Sequence, residues 1–239
     1  MTGLVATISF GLLSLASASH ADDSFYQPPS PIPAGLPGDI VSSREAKAGP
    51  PRARELAHAW QVMYLSSDGL GNPNVVTGTV LVPKGHDPAT LPVIGKAPGT
   101  AGSAFRCAPS RMIDKGAFYE QPAINDMLER GYAVAVTDYV GYHPEPETTY
   151  IIGKSMGAAL LDVVRAAQRL PESGLSSSSA VMLRGYSQGG GATLWAGEMH
   201  SAYAPELDLR GLAAGGVPAN LAQVALPLNG QAGFGVLLY

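Results

Sequence analysis

Apolar residues recur along this chain in two patterns, as short runs of strand length and as longer stretches with helical spacing. The short runs are rich in β-branched residues and are bounded by turn residues, as strands are. They cover residues 56–65, 75–82, 91–97, 132–137, 180–183 and 209–217. Turn residues at 66–69 predict that the first two runs form a hairpin. The run 132–137 is apolar almost throughout, which is typical of a parallel strand covered on both faces.

Longer stretches between these runs predict helices. Residues 117–130 end at Gly131, where a helix-terminating glycine is expected, and residues 154–170 carry apolar side chains three and four positions apart. Residues 188–199 also suit a helix. Because strands alternate with helices, we expect one α/β domain, with a mostly parallel sheet and helices on both faces.

The first 55 residues differ in composition from the rest. Residues 4–16 form an apolar run followed by small residues, so we expect 1–21 to be a secretory signal peptide and the protein to be secreted. That run is too short for a membrane span, although the usual basic residues at its start are missing. Residues 22–55 are rich in Pro, Gly, Ser and Ala, which predicts an extended N-terminal arm laid on the body of the protein.

Composition narrows the possible functions. With 46% hydrophobic and 14% charged residues among 239, the chain can bury a substantial core. Its net charge of −4 gives no basic surface for nucleic acid. No Cys and His spacing suggests a metal site. The single cysteine, Cys107, is a buried free thiol, an intermolecular partner or half of a disulfide.

The strongest chemical signal lies at residues 181–192. A short apolar run leads into Gly185, Ser187 and Gly189, and helical spacing follows, which is the G-x-S-x-G pattern of a nucleophile elbow. A side chain at either glycine would press on the neighbouring strand or helix, and the turn needs backbone angles that glycine adopts at low cost. We therefore take Ser187 as a candidate nucleophile. An ordinary glycine turn is the alternative, since the chain has 29 glycines.

Two further segments could take part. A Gly-rich loop follows the run 91–97, at the place where this type of fold finds a second oxyanion donor, so Gly99 and Thr100 are candidates; a plain turn is the alternative. Asp138 follows another predicted strand. Because it precedes Ser187 in the chain, we expect it to fix a loop rather than act as a catalytic acid.

Several separate motifs, in order, resemble one family, the secreted lipases of actinobacteria and fungi typified by Candida antarctica lipase A. The resemblance runs from about Gly38 to the last residue. It implies an α/β-hydrolase fold and hydrolysis of carboxylic esters such as acylglycerols, without a metal or organic cofactor. The motifs are residues 76–83, 98–100, 107–110, 136–141, 153–155, 161–167, 185–190 and 215–219.

Carried over position by position, the resemblance makes Ser187 the nucleophile and the backbone N–H of Gln188 one oxyanion donor. The Gly99 and Thr100 loop would supply the other, although Pro98 stands where many relatives have His. The resemblance also divides the chain into an α/β-hydrolase core at 56–218 and the start of a lid at 219–239.

The acid and base of a triad are missing from this pattern. The fold places them after the nucleophile, in the order Ser, Asp or Glu, His. The histidine that follows Ser187 is His200, about 18 Å along the same helix at 1.5 Å per residue. We therefore expect a C-terminally incomplete hydrolase with no triad Asp or His in this chain. The resemblance places a disulfide partner of Cys107 in the missing part.

Three hypotheses follow. The first is a secreted serine ester hydrolase that forms an acyl-enzyme on Ser187, acts on a lipid or small ester and contacts lipid interfaces transiently without a stable membrane span. The second is a truncated, inactive pseudoenzyme or lipid-binding remnant. The third is an acyltransferase, because the acyl-enzyme is shared and the pocket selects the acceptor.

Overall fold

A mixed β-sheet forms the centre of the protein in the computed structural model, which describes residues 24–231. Seven strands of the described chain belong to it, in the order β1-β2-β3-β5-β4-β6-β7. The strands are β1 Ile40–Ala46, β2 Ala57–Ser67, β3 Pro73–Pro83, β4 Val93–Ala97, β5 Ala133–Thr137, β6 Val181–Tyr186 and β7 Leu209–Gly215.

The sheet is antiparallel on one side and parallel on the other. From β1 through β2 and β3 to β5 each neighbouring pair is antiparallel, and β5, β4, β6 and β7 run parallel. The predicted hairpin is confirmed, with Ala57 opposite Pro83 and Ser67 opposite Pro73. In the parallel half, the carboxyl ends of β5, β4, β6 and β7 lie on the same side of the sheet.

Helices cover both faces of this sheet, so the predicted α/β architecture is confirmed. The link from β4 to β5 contains α2 and α3, and the links from β5 to β6 and from β6 to β7 contain α4 and α5. The helices are α1 Pro51–Leu56, α2 Pro109–Asp114, α3 Gln121–Glu129, α4 Gly153–Arg169, α5 Gln188–Tyr203 and α6 Leu221–Leu228. Within residues 24–231, no helix has both the length and the apolar content that crossing a bilayer requires.

Two cores flank the sheet. Val93 of β4 packs with Leu160 of α4 in one core, and its neighbour Ile94 packs with Ile124 of α3 in the other. Strand β5 alternates in the same way, with each of its side chains buried. Successive strand residues point to opposite faces, so a strand covered twice must be apolar throughout. This explains the unbroken run at 132–137.

The structure adds elements that the hydrophobic pattern did not predict. Strand β1 lies within residues 22–55, where an extended arm was expected, and pairs with β2 at the sheet edge. Helix α1 also begins in this segment and ends at Leu56. The helix predicted at 117–130 begins at Gln121 instead, and the separate α2 precedes it. Gly131 has a φ of 80°, as expected of a glycine that ends a helix. The predicted signal peptide at 1–21 lies outside the described residues, and the domain boundaries stay predictions.

A buried polar network fixes the end of β5, as expected of Asp138. The Asp138 carboxylate accepts hydrogen bonds from the Ser110 N–H and the Thr77 hydroxyl, both at 2.7 Å, and from the Ser110 hydroxyl. Burial raises the pKa of Asp138, and the hydrogen bonds from Ser110 and Thr77 oppose that rise. The network ties α2 to β3 and β5.

Candidate active site

The strand order creates a crevice beside β4. The chain passes from β4 to β5 on one side and then returns to β6 on the other side of β4. Open α/β sheets bind ligands outside the carboxyl ends of strands at such a switch point. The loop at 98–102 leaves β4 there, and Ser187 leaves β6 there. The topology therefore brings the two predicted site segments together.

Ser187 has strained backbone angles. Its φ is 57° and its ψ is −121°, a combination that a residue with a side chain adopts at a cost of about 1–3 kcal/mol. The Ser187 N–H donates to Gly215 O at 2.9 Å, and the Ser187 carbonyl accepts from the Gly191 N–H at 3.1 Å. Strand β7 and the first turn of α5 thus hold the serine in place.

The glycines beside Ser187 are required by close backbone approach. A Cβ at Gly185 would lie 2.1 Å from Gly189 O, and a Cβ at Gly189 would lie 2.1 Å from Ala97 O. The prediction that a side chain at either glycine would press on a neighbouring strand or helix is therefore confirmed. The prediction that the glycines supply the unusual backbone angles is wrong: the positive φ belongs to Ser187, and neither glycine has one. The two glycines lie in strand and helix conformations, and the serine at the apex carries the strain.

An open cleft of about 790 Å³ lies beside Ser187. Both members of the predicted oxyanion loop, Gly99 and Thr100, line it together with the serine. The Gln188 side chain is buried, with Nε2 3.7 Å from Met156 Sδ. Its N–H lies at the start of α5, where amide groups lack intrahelical acceptors. The cleft is lined by Lys96, Gly99, Thr100, Tyr119, Glu120, Ala123, Arg184, Gly185, Tyr186, Ser187, Ala213, Ala214 and Gly215.

Side chains from two other segments hold the loop at 98–102. Three of them are tyrosines that follow β5, and the fourth is a carboxylate that precedes α3. Such a set of bonds fixes the loop before any ligand arrives, which is the preorganisation that catalysis by fixed dipoles needs. The bonds are Tyr139 Oη to Pro98 O at 2.7 Å, the Gly99 N–H to Glu120 Oε1 at 2.7 Å, Thr100 Oγ1 with Tyr150 Oη at 2.9 Å, and Tyr142 Oη to Gly102 O.

A buried ion pair lies in the cleft wall. Lys96 is 2% exposed, its Nζ contacts Glu120 Oε2, and it also donates to Ala97 O at 2.9 Å. Burial lowers the pKa of Lys96, and the Glu120 carboxylate opposes that change. Burial pushes the pKa of Glu120 upward, but Lys96 and the Gly99 N–H outweigh it, so the pKa lies below its usual value. The Glu120 carboxylate is therefore ionised at neutral pH, and it favours the charged form of the Lys96 amine that it contacts.

The hydrophobic pattern did not identify Lys96 and Glu120. The available signal was the lysine itself, because it interrupts an apolar strand whose side chains are all buried. A charge at such a position requires a partner. The identity of that partner depends on the packing of α3 against β4, which the sequence does not specify.

The described histidines do not complete a triad. None of them is among the residues that line the cleft. The Nε2 of His200 lies 2.9 Å from Leu207 O, near the far end of α5. Asp208 pairs with Arg210 at 2.9 Å. Within residues 24–231, no group of three or more His, Cys, Asp and Glu side chains could hold a metal ion.

The sheet, its helices and the strained serine between β6 and α5 define an α/β hydrolase. The family described as secretory lipase matches residues 113–238, more than half of the chain. The chain belongs to the secretory lipase family.

Individual relatives agree with this assignment. Lipase 6 of Candida albicans is 33% identical over 241 residues, which cover 95% of this chain and 50% of the relative. The secreted triacylglycerol lipase LIP7 of Malassezia globosa is 32% identical and covers 90% of this chain and 47% of the relative. This chain therefore spans about half the length of the curated relatives that it matches.

Solved structures support the fold. Candida antarctica lipase A in its closed state is 30% identical and superposes with a TM-score of 0.71, over 85% of this chain and 47% of that chain. The rice cell wall degrading esterase LipA from Xanthomonas oryzae superposes with a TM-score of 0.63 at 22% identity. The second match shows the fold alone.

Proposed function

We propose that this chain is the nucleophile-bearing part of a secreted serine ester hydrolase that acts on carboxylic esters of lipids. The observation that carries the proposal is the strained Ser187, which lies between β6 and α5 and lines an open cleft. A serine held on such a turn presents its Oγ to a ligand above the sheet. The names of the relatives, which include a secreted triacylglycerol lipase, support the acylglycerol class and an extracellular location.

The proposed reaction has two steps. Ser187 Oγ loses its proton to a base and attacks the ester carbonyl carbon, and the tetrahedral intermediate collapses with release of the alcohol, which regains a proton. Water then attacks the acyl-enzyme, releases the carboxylic acid and restores the serine hydroxyl. Covalent catalysis of this kind replaces one difficult displacement by two easier ones.

Two backbone N–H groups would stabilise the oxyanion. The Gln188 N–H at the start of α5 is one, because the partial positive charge of a helix N-terminus lies there. The loop at 98–102 supplies the other. The Gly99 N–H already donates to Glu120, so the Thr100 N–H is the donor that we propose from this loop.

We propose that the base and its acid lie outside the described residues. Ser187 without a base is an ordinary alcohol of weak nucleophilicity. No described histidine lines the cleft. We propose that an Asp or Glu and a His from other residues of the full-length protein complete the triad.

A covalent label tests the nucleophile directly. The full-length protein is treated with a fluorophosphonate, and intact mass and peptide mapping locate the adduct. We expect one adduct on Ser187, none in Ser187→Ala, and an unchanged rate in Ser177→Ala, which removes an exposed serine from the loop before β6. Formation of the adduct should abolish hydrolysis of a short-chain nitrophenyl ester.

The cleft without a described histidine also favours the non-catalytic alternative, a lipid-binding remnant. Absence of both labelling and hydrolysis in the full-length protein would support that alternative. If Ser187 is labelled and added alcohol captures most of the acyl group in preference to water, the protein is an acyltransferase instead.

A further inference from the structure

We infer that Glu120 is a positioning residue for the oxyanion loop at 98–102, and that Lys96 supplies the counter-charge that makes a carboxylate tolerable there. This inference rests on the proposed function. The proposed function gives the buried ion pair of Lys96 and Glu120 no role, and this inference assigns one.

The Glu120 side chain does not cap the helix that it precedes. It stands at the N-cap of α3, where a side-chain oxygen commonly accepts an N–H of the first turn, yet it makes no such bond. One carboxylate oxygen accepts the Gly99 N–H at 2.7 Å, across 21 positions of sequence, and the other contacts Lys96. The side chain thus joins α3 to the loop after β4.

The contacted loop touches the nucleophile segment. A Cβ at Gly189 would lie 2.1 Å from Ala97 O and 2.8 Å from Pro98 O, so the first turn of α5 packs directly against the beginning of the loop. A displacement of Gly99 would therefore move the Thr100 N–H relative to Ser187. Catalytic rates are sensitive to such displacements, and a 1 Å misplacement can cost about 10²-fold.

The charge of Glu120 requires compensation. A lone carboxylate near Ser187 would repel the negative charge that develops on the carbonyl oxygen in the transition state. Lys96 contacts the carboxylate oxygen that does not accept the Gly99 N–H, so the pair is neutral as a unit. Lys96 in turn is 2% exposed and would be an uncompensated buried charge without Glu120.

Two double variants of the full-length protein separate the hydrogen bond from the charges. Lys96→Met with Glu120→Gln removes both charges but keeps an amide oxygen that can accept the Gly99 N–H. Lys96→Met with Glu120→Met removes the charges and the acceptor. Both variants remove the two charges together and so leave no unpaired buried charge, and we therefore expect both to fold. Glu129→Ala removes an exposed carboxylate from the same helix as a surface control.

We expect the methionine pair to react with the fluorophosphonate about tenfold more slowly than the glutamine pair. For an ester substrate, kcat should fall by the same factor while KM stays unchanged, because the donor matters most in the transition state. Glu129→Ala should react at the wild-type rate. Thermal unfolding midpoints of the two double variants should agree within a few degrees.

The outcomes distinguish this inference from the proposed function. A wild-type protein that is not labelled on Ser187 contradicts the proposed function itself. A labelled wild type, together with equal labelling rates in the two double variants, contradicts the positioning role alone. Equal kcat but different KM would make Glu120 a substrate-binding residue and would also overturn the inference.

Discussion

At the scale of single residues, the site depends on backbone contacts too close for any side chain. Gly189 illustrates this, because its missing Cβ leaves room for the carbonyl of Ala97 at the end of β4. The contacted atom belongs to the backbone of a central strand and cannot rotate away. Ser187 keeps its strained angles because these packed neighbours and the hydrogen bond to Gly215 fix the turn.

We expect Gly189→Ala to lower the free energy of unfolding by about 1–3 kcal/mol, as overpacking does, and to slow labelling of Ser187. Gly191→Ala is the matched control in the same helix. Its Cβ would lie 3.6 Å from Pro218, an ordinary contact, and alanine should stabilise the helix by up to about 1 kcal/mol. Urea denaturation of both variants measures the difference. Equal stability of the two variants would show that the turn can relax around a methyl group.

The position of Ser187 in a strand-to-helix turn could be predicted from the sequence, and the side chains that support the site could not. Glycine spacing and a change from strand to helix pattern identify Ser187, because the steric requirements of the turn act within five residues. Glu120 depends on a contact with Gly99 across 21 positions. Local patterns carry no information about which side chain meets that N–H.

At the scale of elements, prediction succeeded where several apolar side chains of one element are buried. Strands β3, β5 and β6 and helix α4 were located within a few residues because their apolar positions follow the period of the element. Strand β1 was missed. It lies at the sheet edge, its side chains are mostly half-buried, and its sequence contains two serines, an arginine and a glutamate. Pairing with β2, rather than its own pattern, makes it a strand.

A buried tyrosine is one of the residues that attach the segment before β1 to the body of the protein. Tyr26 is 1% exposed, and its hydroxyl meets Ser110 Oγ at 2.9 Å and Gln61 Nε2 at 2.8 Å. Tyr26→Phe would leave these polar groups with fewer partners, which costs about 1–3 kcal/mol. We expect that loss in urea denaturation, together with faster proteolysis ahead of β1. Tyr132 is a half-buried tyrosine before β5, and the control substitution Tyr132→Phe should change neither measurement.

Stability lost without faster proteolysis would contradict the attachment role of Tyr26. In that case the hydroxyl would act within the core network around Ser110, and the N-terminal segment would be held by its aromatic contacts instead. Those contacts include the edge of the Phe105 ring, whose centroid lies 5.2 Å from that of Tyr26.

At the scale of the whole molecule, the described residues form a scaffold that holds Ser187, the proposed nucleophile, in place. Ser187 and a fixed loop lie at the carboxyl ends of the inner strands β6 and β4, but no described histidine lines the cleft beside them. Exposed apolar side chains lie on β7 and α6, including Leu212 and Leu226. Fold and activity are therefore separable properties here, since positioning by the scaffold does not itself remove the serine proton.

This separation predicts the behaviour of the 239-residue chain expressed alone. We expect its ester hydrolysis to be within about tenfold of that of its own Ser187→Ala variant, because an oxyanion site without a base leaves a small fraction of triad catalysis. The full-length protein should exceed both by several orders of magnitude. Initial rates with a nitrophenyl ester, at matched active-site concentration, measure all three. Turnover by the short chain at the full-length rate would mean that a described side chain, such as the Glu120 carboxylate in the cleft, takes the proton from Ser187.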